Sequence, residues 1–484
     1  MVKGERVLVI QLARLGDLVQ TWPFLRRLML SSGADSLELL LDERLRPLLS
    51  LGPLVAAGWG LDFANLTHLV RTNPAAAYAQ LQDLAAGLRN RNFDRVYNLN
   101  FSRISLLLAY LVGNNLRGYL PARGGRDFLR EPWLAWIYAL VHARQINRVH
   151  LSDVFRHLAP AVPSEPGPSP IELKRGEPVI GFQLATRHPR RTWPLAAFAR
   201  LLEMMVFRLG VRVWLLGTRE ERHLGEKLLR VLPKAGRERV TNFQGKTDLI
   251  ELAGLMQQVH LLVSGDTGTL HLAAALGTRT LGLFLGPASC FETGPYGEGH
   301  YVIQAEPPCH PCAEAGPGCS EPICQDMIPA EGVADLVATL LQSRAVTAPP
   351  AFPCGTRIYT SYRDHLGVNY APLGYPLRLR DVVGEAYRRA GARLLGLAGE
   401  NFPYPGPFED DRRDLEIILK GVGNGVRGDI PPLLADMLTP LRVFQAEMAR
   451  QKSWQNRYPQ WLPESTAVKG AFKDALKEMI QQIY

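Results

Sequence analysis

Long apolar runs, cysteine and, over the first third, lysine are scarce in this 484-residue chain. No uninterrupted stretch reaches the about 18 apolar residues that a membrane-spanning helix needs, so no segment is expected to cross a bilayer. A cleavable leader is not expected either. Met1 is followed within six residues by an apolar strand pattern, Val7 to Ile10, with no small-residue cleavage site behind it. In the compartment these two readings point to, the six cysteines are not expected to form stable disulfides. A cytoplasmic location is therefore expected, with docking on the cytoplasmic face of the inner membrane left open. Residues 1–165 hold 19 Lys and Arg against 13 Asp and Glu, and only one of those cations is Lys. Arginine forks suit phosphate and carboxylate better than lysine does, so this bias suits an anionic ligand as well as a solvated surface. No nucleic-acid-binding motif accompanies the charge, and no nucleic-acid partner is expected.

What is present is ordinary globular composition, 46% hydrophobic and 21% charged with a net charge of +9, in a chain long enough for two or three domains. Strand and helix patterns alternate from the start. Val7–Ile10 is a buried strand, Leu18 to Leu30 a helix with Pro23 in its first turn, and Leu37 to Leu41 a second strand. Ala75 to Leu88 is helical, Arg95 to Leu99 is a strand, 102–112 is an apolar helix, and Arg117 to Arg130 reads as an arginine-rich loop. Such alternation implies a doubly wound parallel sheet. Five prolines in the eleven residues 160–170 can form neither helix nor central strand. We therefore expect a domain over 1–160, a linker over 161–170 and a second α/β domain over 171–345. Beyond the proline-rich break near 350, amphipathic stretches at 380–397, 412–420 and 432–452 suggest a helix-rich extension, 350–484, of unknown role.

The most informative stretch runs from Leu261 to Pro287. An apolar strand, Leu261 to Val263, breaks at Ser264-Gly265-Asp266-Thr267-Gly268-Thr269, resumes as a helix from Leu270 to Leu276, and is followed by a strand from Thr280 to Leu285. A loop entering a helix presents unpaired N–H groups and the positive helix end, which bind phosphate. Asp266 would repel a phosphate unless it accepts hydroxyls from something attached to it, and a sugar diphosphate has both parts. The competing reading is a plain βαβ crossover with Asp266 as a helix N-cap. Gly245-Lys246-Thr247 has the end of a P-loop, but Val240 stands where that loop needs glycine.

Gly245-Lys246-Thr247, the Asp266-Thr-Gly-Thr-Leu-His-Leu-Ala-Ala-Ala-Leu-Gly277 run and Phe284-Leu-Gly-Pro287 together resemble glycosyltransferase family 9, the ADP-heptose:lipopolysaccharide heptosyltransferases. The resemblance covers about seven-tenths of the chain and ends near residue 345. It implies the GT-B architecture, two facing Rossmann-like domains, and an inverting transfer. Leu15-Gly16-Asp17 matches the turn that carries the family's catalytic base, so Asp17 is expected to take the acceptor hydroxyl's proton. Thr186 matches a phosphate-binding hydroxyl. Arg191 stands two residues before Trp193-Pro194, where the family usually has Lys, and with Arg190 is expected to offset diphosphate charge. Glu221 is expected at the ribose, Asp266 at sugar hydroxyls, Thr267, Gly268 and Thr269 at phosphate, and His271 beside Asp266. Gly16, Arg117, Arg123 and Arg126 are expected on the acceptor side, facing an anionic glycolipid. The donor is expected to be an ADP-sugar with no metal or other cofactor required. A non-catalytic nucleotide-sugar-binding or envelope-assembly scaffold on the same fold is the alternative.

Cys309, Cys312, Cys319 and Cys324 have the ligand count of a structural zinc site, although the spacings after the first pair are irregular for zinc ribbons. Reduced thiols in a packed loop are the other reading of this cluster.

Overall fold

The computed structural model describes residues 5–397 except 33–36, 54, 122–127, 163, 166, 168–169, 172–173, 314–318, 320, 343–345 and 347–348, together with 417, 436–450, 473–475 and 477. Two compact units are present. The first comprises Met1–His142, Leu151–Pro166 and Thr439–Lys469, and the second Ala143–His150, Gly167–Leu438 and Gly470–Tyr484.

The first unit contains β1 (Val7–Gln11), β2 (Leu37–Asp42), β3 (Ala57–Leu61), β4 (Arg95–Asn98), β5 (Leu116–Pro121) and β6 (Phe128–Arg130), in the order β3-β2-β1-β4-β5-β6. The first five strands run parallel and β6 pairs antiparallel with β5. β1 and β2 are buried along their whole length, as strands covered on both faces must be. Strand order reverses between β1 and β4, and the crevice at their C-terminal ends is where such sheets bind ligands. Helix α1 (Leu15–Gln20) starts there. A buried polar cluster fixes the turn: Leu12 N donates to Asn100 Oδ1 at 2.6 Å, and Gln11 Nε2 donates to Thr21 Oγ1 at 2.9 Å.

Two expectations change here. The helix read over Leu18 to Leu30 is two helices, α1 and Trp22–Ser32, with Pro23 in the first turn of the second, where its missing N–H costs nothing. The stretch Arg117 to Arg130, read as a loop, contains most of β5 and all of β6. β5 pairs in register with β4, and at Gly118 (φ +85°) an added Cβ would overlap the Asn98 carbonyl oxygen, so only glycine fits. Thr439–Arg450 from the extension belongs to this unit, where Phe444 meets Trp136 edge-on at 5.5 Å.

The second unit contains β7 (Val179–Gln183), β8 (Arg212–Leu216), β9 (Val240–Asn242), β10 (Leu261–Ser264), β11 (Thr280–Phe284), β12 (Tyr301–Ala305), β13 (Thr356–Arg363) and β14 (Val368–Pro372). Their order is β14-β13-β12-β11-β10-β7-β8-β9, reversing between β10 and β7. β7 to β12 are parallel, and β13 and β14 extend the sheet antiparallel. Helix α2 (Gly268–Ala275) follows β10, the short α3 (Cys290–Thr293) follows β11, and α4 (Leu379–Leu394) follows β14.

Strands β13 and β14 fall in the segment read as helical. Thr, Ile and Tyr at alternate positions suit a strand, and Ile358 pairs with Ile303 of β12. α4 covers 380–394 of the expected 380–397 stretch, but it is buried nearly all round rather than amphipathic. Its charges are paired: Arg148 meets Asp381 at 2.8 Å and Arg388 meets Asp364 at 2.7 Å. The expected helix at 412–420 lies outside the described residues except for 417. Among the described residues no helix is long and apolar enough to cross a membrane.

Candidate active site

At the switch point of the second unit, β10 ends in the loop that begins α2. Thr267 (φ −140°), not Asp266, caps this helix, its Oγ1 accepting from Leu270 N at 3.2 Å. The N-cap reading of Asp266 is therefore excluded, and its carboxylate turns elsewhere. Arg191 Nη1 donates to Asp266 Oδ2 at 2.6 Å, Thr293 Oγ1 donates to the same oxygen at 3.1 Å, and His271 Nε2 lies 3.3 Å from Oδ1. Asp266 and His271 side chains are each 5% exposed. Burial alone would raise the Asp266 pKa; His271, Arg191 and Thr293 outweigh it and hold the carboxyl below its ordinary value. Gly265 lets the loop nest here, since a Cβ would come within 2.7 Å of Thr186 Cγ2 and 3.3 Å of Arg191 O.

The segment after β7 supplies the other expected donor residues. Thr186 Oγ1 donates to His188 O at 2.8 Å and lies 3.0 Å from Thr192 Oγ1, which closes the turn that presents Arg190 and Arg191. Arg190 N donates to His188 Nδ1 at 3.3 Å, and an added Cβ on Gly286 would meet Arg190 O at 2.7 Å. Glu221 Oε2 accepts from Thr218 N and from Gln183 Nε2, both at 3.0 Å. Gln183 also accepts from Thr269 Oγ1 at 3.2 Å. It thereby joins the residue expected at the ribose to the loop expected at phosphate. Sequence reading missed Gln183, although a polar residue ending an otherwise apolar buried strand is the available signal. The second unit thus brings Thr186, Arg191, Asp266, Thr267 and His271 to one place, with Glu221 linked through Gln183 and Thr269.

Thr293 was also missed. It reaches Asp266 from α3, 27 residues downstream, and α3 is held tightly. Glu292 accepts from Arg144 Nη2 at 2.5 Å and from Asn147 Nδ2 at 3.1 Å, and Cys290 N donates to Gln304 Oε1 at 2.8 Å. His150 Nε2 meets Gly294 O at 2.7 Å; burial lowers the His150 pKa to about 3, so it is the neutral ring with Nε2 protonated that donates.

In the first unit Asp17 sits half-buried in the first turn of α1, its Oδ2 accepting from Arg14 N at 3.2 Å, with Gly16 beside it. Arg117 Nη1 faces Glu131 Oε1 at 4.0 Å, and Glu131, whose pKa burial raises, accepts from Gly118 N at 3.0 Å. Arg123 and Arg126 lie outside the described residues.

The zinc alternative is not supported. Among the described residues no group of three or more His, Cys, Asp or Glu is placed to hold a metal ion. The Cys319 thiol turns to Glu321 O at 3.2 Å, and Cys324 packs into the apolar core. Burial pushes the Cys312 and Cys324 thiols up, away from the thiolate that zinc requires. Cys309 and Cys319 are exposed, and all six thiols are free.

Two doubly wound sheets, one carrying an anion-type loop with a buried carboxylate, define the class: a GT-B glycosyltransferase fold. The solved E. coli ADP-heptose LPS heptosyltransferase II superimposes with a TM-score of 0.53 at 21% identity, covering 70% of this chain and 98% of that one. The family model for glycosyltransferase family 9 (heptosyltransferase) matches residues 81–320. Over 364 residues the chain is 24% identical to lipopolysaccharide heptosyltransferase 2 of Escherichia coli K12, spanning 70% of this chain and the whole of that relative, 100%. Over 157 residues it is 31% identical to lipooligosaccharide heptosyltransferase 2 of Haemophilus influenzae, spanning 30% of this chain and 45% of that relative. The chain belongs to glycosyltransferase family 9 and is a glycosyltransferase.

Proposed function

We propose that this enzyme transfers heptose, or a related sugar, from ADP-heptose to a lipopolysaccharide core or similar envelope glycan acceptor, with inversion at the anomeric carbon. The observation that carries the donor half is the Asp266 cluster: a buried carboxylate held below its ordinary pKa beside the start of α2 and paired with Arg191 at 2.6 Å, a cation that suits a diphosphate as well. The names of the relatives, which are heptosyltransferases, supply the sugar and the acceptor class.

In this reading the second unit binds the donor. Thr186, Arg190, Arg191 and the loop Thr267-Gly268-Thr269 take the diphosphate, Glu221 the ribose hydroxyls, and Asp266, steadied by His271, the sugar hydroxyls. The first unit binds the acceptor, with Gly16 at the turn and Arg117, Arg123 and Arg126 meeting its anionic groups. Asp17 removes the proton from the acceptor hydroxyl as that oxygen attacks the anomeric carbon and the bond to the diphosphate breaks. ADP leaves with its charge offset by fixed cations and loop amides, so a divalent metal has no necessary role. An acceptor built on lipid places the reaction on the cytoplasmic face of the inner membrane.

The test is release of ADP on mixing the protein with ADP-heptose and a deacylated Kdo–lipid A acceptor. Acceptor-dependent release, with the product linkage inverted relative to the donor, is expected. Absence of both release and ADP-heptose binding would overturn the donor assignment.

A further inference from the structure

We propose that Thr293 is a positioning residue for the donor-site carboxylate, and that the C-terminal extension sets it through α3. This rests on the donor-site reading of Asp266 given above.

Asp266 Oδ2 has two donors, Arg191 and Thr293, and they differ in kind. Arg191 carries a charge that a bound diphosphate also attracts, so a donor nucleotide draws it away from the carboxylate. Thr293 is neutral and short, and its hydroxyl stays when Arg191 is shared. It then keeps Oδ2 engaged and leaves Oδ1, on the His271 side, aimed at sugar hydroxyls. A hydroxyl can do this only if its own backbone is fixed, and α3 is a four-residue helix with little stability of its own.

Besides Arg144, Asn147 and His150, residues of the extension fix it. The Phe291 ring is edge-on to Tyr359 of β13 at 5.2 Å and to Tyr370 of β14 at 6.3 Å. Tyr370 Oη donates to Pro295 O at 2.6 Å, just past the end of α3, and a Cβ on Gly294 would overlap that hydroxyl. On the other side Gln304, which holds the Cys290 amide, donates to Glu306 Oε1 at 2.7 Å. Glu306 Oε2 in turn accepts from Arg378 and Arg380, both at 2.5 Å. The family model ends at residue 320, so Tyr359, Tyr370, Arg378 and Arg380 lie outside it while α3 lies inside. β13, β14 and residues 378–380 thus brace the short helix that carries Thr293.

The test uses the full chain with Thr293→Val, Thr293→Ser, Tyr370→Phe and the Thr293→Val/Tyr370→Phe double variant. Dissociation constants for ADP and for ADP-heptose are measured by calorimetry, with thermal unfolding alongside. Loss of one hydrogen bond to a charged carboxylate predicts that Thr293→Val weakens ADP-heptose binding about tenfold and leaves ADP, which has no sugar for Asp266, unchanged. Thr293→Ser restores sugar-nucleotide binding. Tyr370→Phe weakens it in the same direction but less, and adds nothing in the Thr293→Val background, because it acts through Thr293. Equal weakening of ADP and ADP-heptose, or no change in either, overturns the positioning role while wild-type binding of ADP-heptose leaves the donor-site reading standing. Wild-type protein that binds ADP but not ADP-heptose overturns both.

Discussion

Arg191 and Asp266, 75 residues apart in the chain, form an ion pair of 2.6 Å with side chains 20% and 5% exposed. The pair joins the two loops that end β7 and β10 at the switch point of the second sheet. A buried carboxylate without such a partner would rise in pKa, and a cation without it would have no fixed aim. Arg191→Met is therefore expected to lower kcat about 100-fold or more, the cost of losing a donor to developing leaving-group charge. Arg191→Lys keeps the charge and loses the fork, and is expected to stay within about tenfold of wild type. Steady-state ADP release reads both; equal losses in the two variants would show that charge at this position is not what matters.

Gly217 closes the turn that presents Glu221. Its φ is +148°, and an added Cβ would overlap Glu221 Oε2. Gly217→Ala should displace that carboxylate and weaken ADP binding about tenfold, in addition to a backbone strain of about 1 kcal/mol or more in stability. Calorimetry with ADP separates the two effects, since unfolding midpoints report only the second. Unchanged ADP affinity would remove Glu221 from the ribose site.

The pH dependence of stability has a calculable sign. Burial lowers His150 and His300 to about 3 from an ordinary 6.5, so the unfolded chain binds protons that the folded chain does not as pH falls from 6.5 towards 3. Glu306 is opposed by burial, but Arg378, Arg380 and His310 outweigh that and hold it at about 2 against an ordinary 4.5; its contribution is present above 4.5 and lost as pH falls towards 2. Both effects lower stability on acidification, and the histidines act first. Each histidine contributes a slope of at most about 1.4 kcal/mol per pH unit in its window. Urea unfolding at pH 7, 5.5 and 4 should show this decline, and His300→Asn should make it shallower. A flat profile would contradict the neutral buried histidines.

Chelation should leave catalysis unchanged. Offset of the leaving diphosphate is assigned to Arg190, Arg191 and the α2 amides, so ADP release after EDTA treatment and buffer exchange is expected within about twofold of the untreated rate. Loss of activity that returns on adding Mg²⁺ or Zn²⁺ would contradict this.

The parts of the site that were legible in the sequence are those built by neighbours along the chain. Leu261 to Leu285 writes its strand, loop, helix and second strand in consecutive residues, so the anion-binding corner and the oddity of Asp266 could be read directly. Gln183 and Thr293 could not, because each matters only through a partner delivered by topology: Thr269 is 86 residues from Gln183, and Asp266 is 27 from Thr293. Asn100 likewise fixes the Leu12 amide from 88 residues away. β5 was hidden by its charge, since Arg117 beside Gly118 resembles a loop until the register with β4 is seen. α4 misled for the opposite reason. Its Arg and Asp residues look like a solvated face, yet Arg148 and Asp364 arrive from elsewhere to pair with them inside the protein.

The most direct measurement of the central claim is acceptor-dependent ADP release by Asp17→Asn beside wild type, with ADP-heptose binding measured on the same samples. Asp17 sits in the first unit, half-buried at the start of α1, and its carboxylate is assigned the acceptor's proton and no part of donor binding. The expected result is ADP-heptose affinity equal to wild type with release lowered by about 100-fold or more. Release by Asp17→Asn at the wild-type rate would contradict the assignment of Asp17 as the base.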